Sequence, residues 1–193
     1  MPEVALSSPL AAFLAGGMRT LQIDSRSASL QEVPFVEMVN LRGNGQDALF
    51  AQAVQQATGL ALPLRANSAS IGAQRQWLWL GPDEWLLKSR DWSATEAIDA
   101  LRGALQGMRS AVVDVGHGNT TLLLHGLAAG DLLARGCPLD LHPRVFGIGS
   151  VAQTHVAKAG ATIVCLDPGT RFELTVRRSF ADYLVRWLCA AGE

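Results

Sequence analysis

Two glycines near the C-terminal third of the chain have the spacing of a cofactor motif. Gly147-Ile-Gly149-Ser-Val-Ala152 is a G-x-G-x-x-A string, and Asp167 follows about twenty residues on, as in a dinucleotide-binding fingerprint. That fingerprint needs a strand before the glycines and a helix N-terminus after them to meet the pyrophosphate. Here a proline-bearing loop precedes them, and the alternating segment Val151–Lys158 predicts a strand after them. We therefore expect a loop with two turn glycines.

Two further groups combine acids and bases. Asp114 and His117 lie close in sequence, and such a pair could transfer a proton, although a histidine that caps a turn at a strand end is the simpler explanation. The second group is a charged cluster in a loop after a helix, formed by Arg135, Asp140, His142 and Arg144. This cluster could bind an anion or the carboxylates of a partner, and a solvated loop with internal salt bridges is the competing interpretation.

The segment Trp77–Lys88, WLWLGPDEWLLK, contains three of the five tryptophans and is apolar at nearly every position. In an extended strand, Trp77 and Trp79 point to one face and the leucines to the other. Helices of the same chain can cover one face of such a hairpin, whereas the other face needs a second cover. Two interpretations stay open for that face: sheet-on-sheet packing within the chain, and a partner interface anchored by Trp77, Trp79 and Trp85.

No other catalytic or metal-binding pattern is present in the sequence. It contains no G-x-S-x-G elbow, no P-loop and no H-E-x-x-H string. The three cysteines are far apart and form no C-x-x-C, so we expect reduced and mostly buried thiols; they are Cys137, Cys165 and Cys189. We expect no catalytic residue, no cofactor-binding residue and no metal site on this chain.

Composition restricts the classes of partner. Lys and Arg (16) balance Asp and Glu (17), which argues against a nucleic-acid-binding surface. Charged residues make up only 17% of the 193 residues and mean hydropathy is +0.19, so we expect surface that another chain covers. No apolar run approaches the ~18 residues of a membrane span, and the first residues lack the basic region of a secretory signal. We expect a cytoplasmic protein without membrane contacts.

An internal repeat organises the chain. The string LRGNGQDAL at Leu41–Leu49 resembles LHGLAAGDLL at Leu124–Leu133, with one residue inserted in the second string. The segments that start at Leu80 and Leu166 also correspond at a constant offset. In that second pair, Pro82 matches Pro168 and Ser93 matches Ser179. Each half is therefore predicted to run strand, helix, hairpin, helix.

Local signals place the helices and turns. A helix over Gln46–Thr58 is predicted to end at Gly59, and Ser93 with Glu96 forms a capping box before a second helix. Ser179-Phe-Ala-Asp182 is a near relative of that box, and Asp167-Pro168-Gly169-Thr170 suits a type II turn. Strands are predicted at Phe35–Arg42, Gln76–Leu80, Trp85–Ser89, Ala111–Val115, Thr120–His125, Val151–Lys158, Thr162–Leu166 and Arg171–Val176.

These elements predict an α+β fold of two pseudo-repeats with mostly antiparallel sheets and helices packed on one side. We expect an N-terminal arm over 1–33, ordered or packed on a partner, and a single compact unit over 34–193. The pseudo-repeats are expected to span 34–109 and 110–193. The stretches Gly59–Arg75 and Pro138–Gly149 are predicted linkers.

Five strings of the sequence resemble a known family. They are Ser8-Pro-Leu10, LGPDEWLL at Leu80–Leu87, VDV at Val113–Val115, RGCPLDLHPR at Arg135–Arg144 and RxSFADYLxRWL at Arg177–Leu188. Together they resemble the gamma subunit family of heterotetrameric sarcosine oxidase, over nearly the whole chain from about Ser8. The resemblance implies a fold similar to the folate-binding aminomethyltransferase of the glycine cleavage system, whose D-x-S-H strand resembles Asp114–His117. Gly116 departs from that pattern, which usually carries serine.

The resemblance implies a small, non-catalytic accessory subunit of an oxidoreductase complex that serves sarcosine catabolism and one-carbon metabolism. In such heterotetramers the alpha and beta subunits hold FAD, FMN, NAD and the tetrahydrofolate site, and delta holds zinc. They oxidatively demethylate sarcosine to glycine with hydrogen peroxide as a product, and the one-carbon unit is captured by tetrahydrofolate or released as formaldehyde. Gamma is expected to contact alpha, beta and delta, mainly alpha.

Two alternatives remain open at this point. One is the equivalent small subunit of N-methylglutamate dehydrogenase, an allied complex whose substrate would also lie in another subunit. The other is a stand-alone folate-binding protein of the aminomethyltransferase superfamily, as an enzyme or a one-carbon sensor.

Overall fold

The computed structural model describes residues 7–13 and 17–192. Within these residues the chain contains eleven strands and four α-helices. In chain order they are β1 (Arg19–Ile23), β2 (Arg26–Val33), β3 (Glu37–Arg42), α1 (Ala48–Thr58), β4 (Ala69–Ile71), β5 (Arg75–Gly81), β6 (Glu84–Ser89), α2 (Ala94–Ala104), β7 (Ala111–Asp114), β8 (Asn119–His125), α3 (Ala129–Ala134), β9 (Val151–Val156), β10 (Ala159–Asp167), β11 (Arg171–Arg177) and α4 (Arg178–Ala191).

The chain divides into two compact units, each containing one sheet. The six-strand unit comprises, among the described residues, 7–13, 17–35, 119–147 and 154–192. The five-strand unit comprises 36–118 and 148–153. The sheets have the orders β1-β2-β8-β11-β10-β9 and β4-β5-β6-β3-β7. The pairs β1–β2, β2–β8, β8–β11, β10–β11, β4–β5, β5–β6, β3–β6 and β3–β7 are all antiparallel, so the predicted α+β class with antiparallel sheets is confirmed.

The two sheets share one strand order. Each half of the chain runs through a strand, a helix, a hairpin and a second helix, and the strands β4-β5-β6-β3 correspond in order to β9-β10-β11-β8. Beside β3 lies β7, which follows α2 in the chain; beside β8 lies β2, which comes from the N-terminal part of the chain. The same position in the two sheets is therefore filled by a strand from the middle of the chain in one sheet and by a strand from its N-terminal part in the other. Strand β1 extends the six-stranded sheet further.

The core of the five-strand unit lies between its sheet and helices α1 and α2. Trp77 and Trp85 are 0% and 1% exposed and lie on the same face of the β5–β6 hairpin. The indole Nε1 of Trp85 donates to the carbonyl of Pro63 at 2.9 Å, and that of Trp77 donates to Thr58 Oγ1 at 3.3 Å. Because both rings are buried while their indole N–H groups remain hydrogen-bonded, they contribute strongly to the stability of the fold. They pack with Val39, Leu41, Phe50, Val54, Leu87, Ala97 and Leu101.

The opposite face of the same hairpin is buried as well. Leu78 and Leu86, which are directly opposed across the hairpin, are 0% and 5% exposed. Lys88 and its β3 neighbour Met38 on that face are each 1% exposed, and Lys88 has an interaction partner. Because both faces are buried, the usual polar alternation of a strand is missing from Trp77–Lys88.

Helix ends in the five-strand unit follow the sequence signals. Asp47 caps α1 by accepting a hydrogen bond from the Leu49 amide at 2.9 Å, and α1 ends at Gly59, which adopts a left-handed conformation with φ 71°. Ser93 and Glu96 form the predicted capping box at α2.

The corresponding box at α4 is not formed. Helix α4 begins at Arg178, with Arg177 at the N-cap position and no side-chain cap bond, so the expectation for Ser179 as a capping residue is wrong. Strand β11 runs directly into this helix without an intervening loop, which leaves Ser179 inside the first turn.

The six-strand unit has one apolar and one polar sheet face. Directly opposed pairs such as Leu30 with Leu124 and Leu122 with Leu174 form the apolar face, and these leucines are all 0% exposed. Helices α3 and α4 pack on this sheet with the buried residues Leu132, Leu133, Ala181, Leu184, Val185 and Leu188. The other face carries buried polar residues, among them Thr121, Glu173 and Thr175, all of which have interaction partners.

Hydrogen bonds and ring contacts hold the segment 7–13 on the six-strand unit. The Glu32 carboxylate accepts hydrogen bonds from Ser8 Oγ and from Thr120 Oγ1, and Leu10 is fully buried. The guanidinium carbons of Arg19 and Arg186 lie 4.5 and 5.0 Å from the centre of the Phe13 ring, within cation–π range.

Three strands were not predicted from the sequence. Strands β1 and β2 lie within the segment 1–33, where an arm was expected, and β4 lies within the predicted linker Gly59–Arg75. The division into pseudo-repeats at 34–109 and 110–193 stays a prediction. The type II turn is confirmed, since Gly169 has φ 76° and the Thr170 amide donates to the Asp167 carbonyl at 3.2 Å.

Removing the Trp85 ring is expected to destabilise the chain strongly. The ring is buried against Phe50 at a centroid distance of 6.2 Å, and Trp85→Ala leaves a cavity together with an unpaired Pro63 carbonyl. We expect the free energy of unfolding to fall by about 3–5 kcal/mol in urea titrations. Leu49→Ala, at a position 66% exposed on α1, is the control and should change it by less than about 0.5 kcal/mol. A loss below about 1 kcal/mol for Trp85→Ala contradicts the core assignment.

Glu84 gives the five-strand unit an acid-sensitive contact. Partial burial works against its ionisation, but hydrogen bonds from Arg42 and Asn40 prevail and hold the pKa of Glu84 below its usual value of 4.5. A carboxyl group with a lowered folded-state pKa stabilises the fold above its unfolded pKa, and this contribution is lost as pH falls through the folded pKa.

We therefore expect the melting temperature of the wild type to fall more steeply than that of Glu84→Gln as pH drops below about 4.5. Arg42→Gln should reduce the same pH dependence, because it removes the donor to Glu84. Melting profiles that stay parallel for wild type and Glu84→Gln through the acid range refute this assignment.

Candidate functional site

An open cleft of about 380 Å³ lies in the six-strand unit. The exposed side of α3 forms one wall, the loop 139–143 forms the other, and the Gly169 turn between β10 and β11 closes one end. The lining residues are Arg26, Leu127, Gly130, Asp131, Ala134, Leu139, Asp140, Leu141, His142, Pro143 and Gly169.

Two glycines permit this arrangement. The Gly130 amide donates to the Gly169 carbonyl at 3.1 Å, and a Cβ atom at Gly130 would lie only 3.0 Å from that oxygen. A Cβ atom at Gly169 would lie 3.1 Å from Pro143 Cγ, and its positive φ disfavours other residues. Glycine at both positions therefore lets helix α3, the turn and the loop approach one another without displacing their neighbours.

The loop that forms the second wall is held by its own hydrogen bonds. Asp140 Oδ1 accepts from the His142 amide at 2.9 Å, and His142 Nδ1 accepts from the Arg144 amide at 3.2 Å. The His142 carbonyl accepts from the amides of Val145 and Phe146, each at 2.9 Å, and the Phe146 ring stacks on Phe172. Because Nδ1 is an acceptor, this network assigns the proton of a neutral His142 to Nε2.

The charges of the cleft do not cancel completely. Arg26 and Asp131 form an ion pair at 2.6 Å, with both side chains about half exposed. Asp140 has no ion-pair partner in the part of the chain that the structure describes, so one negative charge is left at the cleft. Beside it, Leu127 and Leu139 are 68% and 41% exposed. The cleft therefore combines an apolar surface with an adjacent carboxylate.

The tryptophans predicted as partner anchors lie elsewhere. Trp77 and Trp85 are core residues of the five-strand unit and present no surface to another protein, because sheet and helices of the unit enclose them. This placement corrects the expectation of a partner-facing role for these two rings. Trp79 is half-buried and packs against the same core.

The charged loop cluster is only partly assembled. Asp140 and His142 line the cleft, whereas Arg135 donates to the Ala191 carbonyl and Arg144 is exposed outside the lining. The apolar part of the cleft was not predicted from the sequence; it comes from Leu127 and Leu139, which precede and follow α3 in the chain. Leu127 lies within the repeated string Leu124–Leu133, and Leu139 directly precedes Asp140 of the charged cluster. No sequence pattern shows that either leucine is exposed.

The remaining candidate motifs have structural explanations. Asp114 Oδ1 accepts from the Gly116 amide at 2.8 Å, which makes it a turn residue, and His117 is exposed in the short 3-10 turn Gly116–Gly118. The glycine string at Gly147 leads into strand β9 rather than into a helix, as expected for a loop with turn glycines. Among the described residues, no group of three or more histidines, cysteines and acids is placed to hold a metal ion.

Comparison with known proteins gives the family. Residues 42–193 match the family described as "Sarcosine oxidase, gamma subunit family". The chain is 34% identical to the sarcosine oxidase subunit gamma of Corynebacterium sp. (strain U-96), over 94% of this chain and 87% of that protein. This chain belongs to the sarcosine oxidase gamma subunit family. A second member, from Arthrobacter sp, is 32% identical over 84% of this chain and 78% of its own length.

Solved structures agree with membership of the gamma subunit family. The chain superposes on a chain of the heterotetrameric sarcosine oxidase from Corynebacterium sp. U-96 with a TM-score of 0.87 and 31% identity, covering 96% of this chain and 94% of the other. It also matches glycine cleavage system aminomethyltransferase T from Bartonella henselae, with a TM-score of 0.67 and 14% identity. That match covers 95% of this chain and 57% of the aminomethyltransferase, and it shows a shared fold. The predicted aminomethyltransferase-like fold is thus confirmed.

Two further observations on this gamma-family chain concern membrane-spanning helices and the state of its cysteines. No helix in the described ranges 7–13 and 17–192 is both long and apolar enough to cross a membrane. All three cysteines are free, with Cys137 and Cys165 buried and Cys189 partly exposed. Burial and the nearby Asp167 raise the pKa of the Cys165 thiol to about 11.

The raised pKa predicts an unreactive Cys165. At pH 8 only about one thiol in a thousand would be ionised, and the thiolate is the reactive form. We expect iodoacetamide to leave Cys165 unmodified in the native chain and to modify it fully in urea, as measured by peptide mass spectrometry. Cys189, which is partly exposed, is the internal comparison and should react first. Labelling of native Cys165 as fast as Cys189 is incompatible with the buried position.

Proposed function

We propose that this chain is the small accessory gamma subunit of a heterotetrameric sarcosine oxidase. The observation that carries the proposal is the match to the sarcosine oxidase subunit gamma of Corynebacterium sp. (strain U-96), at 34% identity over 94% of the chain, together with a TM-score of 0.87 to a chain of the assembled enzyme from Corynebacterium sp. U-96. In this proposal the chain supports flavoprotein subunits that oxidatively demethylate sarcosine to glycine, with tetrahydrofolate as the one-carbon acceptor.

The chain itself is proposed to be non-catalytic. The three candidate motifs of its sequence lie in a turn, a glycine loop and an open cleft, which supports this proposal. We assign FAD, FMN, NAD, zinc and the tetrahydrofolate site to the other subunits. We also propose a cytoplasmic location, which the three free thiols support because disulfides are rare in reducing compartments.

We propose the alpha, beta and delta subunits as partners, with alpha making the main contact. The cleft of the six-strand unit is the part of the surface that we assign to such contact. Asp140 and His142 lie in it, exposed Arg144 lies beside it, and its leucines are exposed. Exposed apolar side chains next to charged residues are typical of a surface that another protein covers.

Purification of the tagged chain from cells that produce it tests the proposal. We expect a yellow complex with three further chains, identified by mass spectrometry, that converts sarcosine to glycine and produces hydrogen peroxide. An untagged strain is the control for non-specific capture. A colourless single chain that binds folate would instead support a stand-alone folate-binding protein, and a complex active on N-methylglutamate but not on sarcosine would support the allied dehydrogenase.

A further inference from the structure

The cleft beside α3 has features of a docking site for a polypeptide. Its exposed leucines, Leu127 and Leu139, face solvent at 68% and 41%, whereas pockets for small molecules enclose most of the surface of their ligand. Its walls are preformed, because hydrogen bonds hold the loop 139–143 and the Gly130 amide is bonded to the Gly169 carbonyl of the turn. A preformed open groove binds an extended segment without ordering its own residues, which reduces the entropic cost of association.

Charge indicates what kind of segment fits. The Arg26–Asp131 ion pair is internally neutral, so a ligand gains no net attraction from it. Asp140 accepts one backbone hydrogen bond through Oδ1 and has no cation beside it among the described ion pairs, which leaves its carboxylate available to a positive group. The complementary ligand therefore combines an apolar side chain with an adjacent lysine or arginine.

Resting on the proposed function, we infer that this cleft receives a segment of a neighbouring sarcosine oxidase subunit in which an apolar side chain is followed or preceded by lysine or arginine. The apolar side chain packs between Leu127 and Leu139, and the basic group pairs with Asp140. His142 Nε2 donates a hydrogen bond to the backbone of the bound segment. Central apolar anchors of this kind carry most of the energy of an interface, while the charge sets orientation.

Matched variants of the full chain, co-expressed with the other three subunits, test the assignment. Leu127→Glu and Leu139→Glu place a charge against the apolar anchor and are expected to lower the amount of chain retained in the purified complex at least about tenfold. Leu49→Glu is the matched control, because Leu49 is a helical leucine with 66% exposure outside the cleft, and it should be retained like the wild type. Melting temperatures of the purified chains verify that all three variants fold.

The contact between Asp140 and a basic group is tested separately, by the salt dependence of retention in the complex. Asp140→Asn is expected to lower retention about three- to tenfold at low salt and to flatten the decline of retention with added salt, because screening acts on the pair that the variant lacks. Asp99→Asn on α2 provides the matched carboxylate control. Equal salt dependence in Asp140→Asn and in the wild type overturns the charge contact.

A photo-cross-linking residue at position 127 identifies the occupant directly. We expect it to cross-link to one of the other subunits, at a peptide with an apolar residue beside lysine or arginine, while the same residue at position 49 does not. Normal assembly of both cleft variants, or cross-links from position 127 to a second copy of this chain, overturns the inference and leaves the subunit assignment intact. If the wild-type chain itself is not retained with the other subunits, the proposed function fails first.

Discussion

Burial of the β5–β6 hairpin on both faces is the constraint on which much of the structure depends. Helices α1 and α2 and the tryptophan rings fill one face, and Leu78, Leu86 and Lys88 are enclosed on the other. A strand without a solvent-exposed face does not alternate apolar with polar residues, so its sequence is a continuous apolar run. The same burial explains why Trp77 and Trp85, which suggested a partner surface in the sequence, belong to the core of the five-strand unit.

Strong periodic patterns made most of the fold predictable. All eight predicted strands are present, Gly59 marks the end of α1 and Ser93 marks the start of α2, because those signals act within a few residues. Strands β1, β2 and β4 were missed because they are short or carry many polar residues: β2, for example, buries Ala28 and Leu30 while Arg26 and Ser27 at its start are exposed. Strands β1 and β4 pair with the strand that follows each of them, whereas β2 also pairs with β8, which is far away in the sequence.

Only the charged and polar residues of the cleft were predictable from the sequence, and its exposed leucines were not. Asp140 and His142 lie in a loop with several charged residues, and this composition marks them as candidate binding residues in the sequence. Leu127 and Leu139 resemble core leucines in sequence, and their exposure is visible only in the folded chain. Such a cleft unites three segments, and the glycine that permits their approach, Gly130, carries no signal of its own in a single sequence.

The position of β2 has a consequence for how the chain can be shortened. The family match begins at residue 42, yet β2 pairs with β8 in the interior of the six-stranded sheet and supplies Glu32, which holds Ser8 and Thr120. A truncated chain that began at residue 42 would lose β1 and β2 from the six-stranded sheet and nearly all of β3 from the five-stranded sheet. Strand β8 would then be an open edge with unpaired backbone groups, a typical starting point for aggregation. The segment matched by the family model therefore lacks strands that complete both sheets of the full chain.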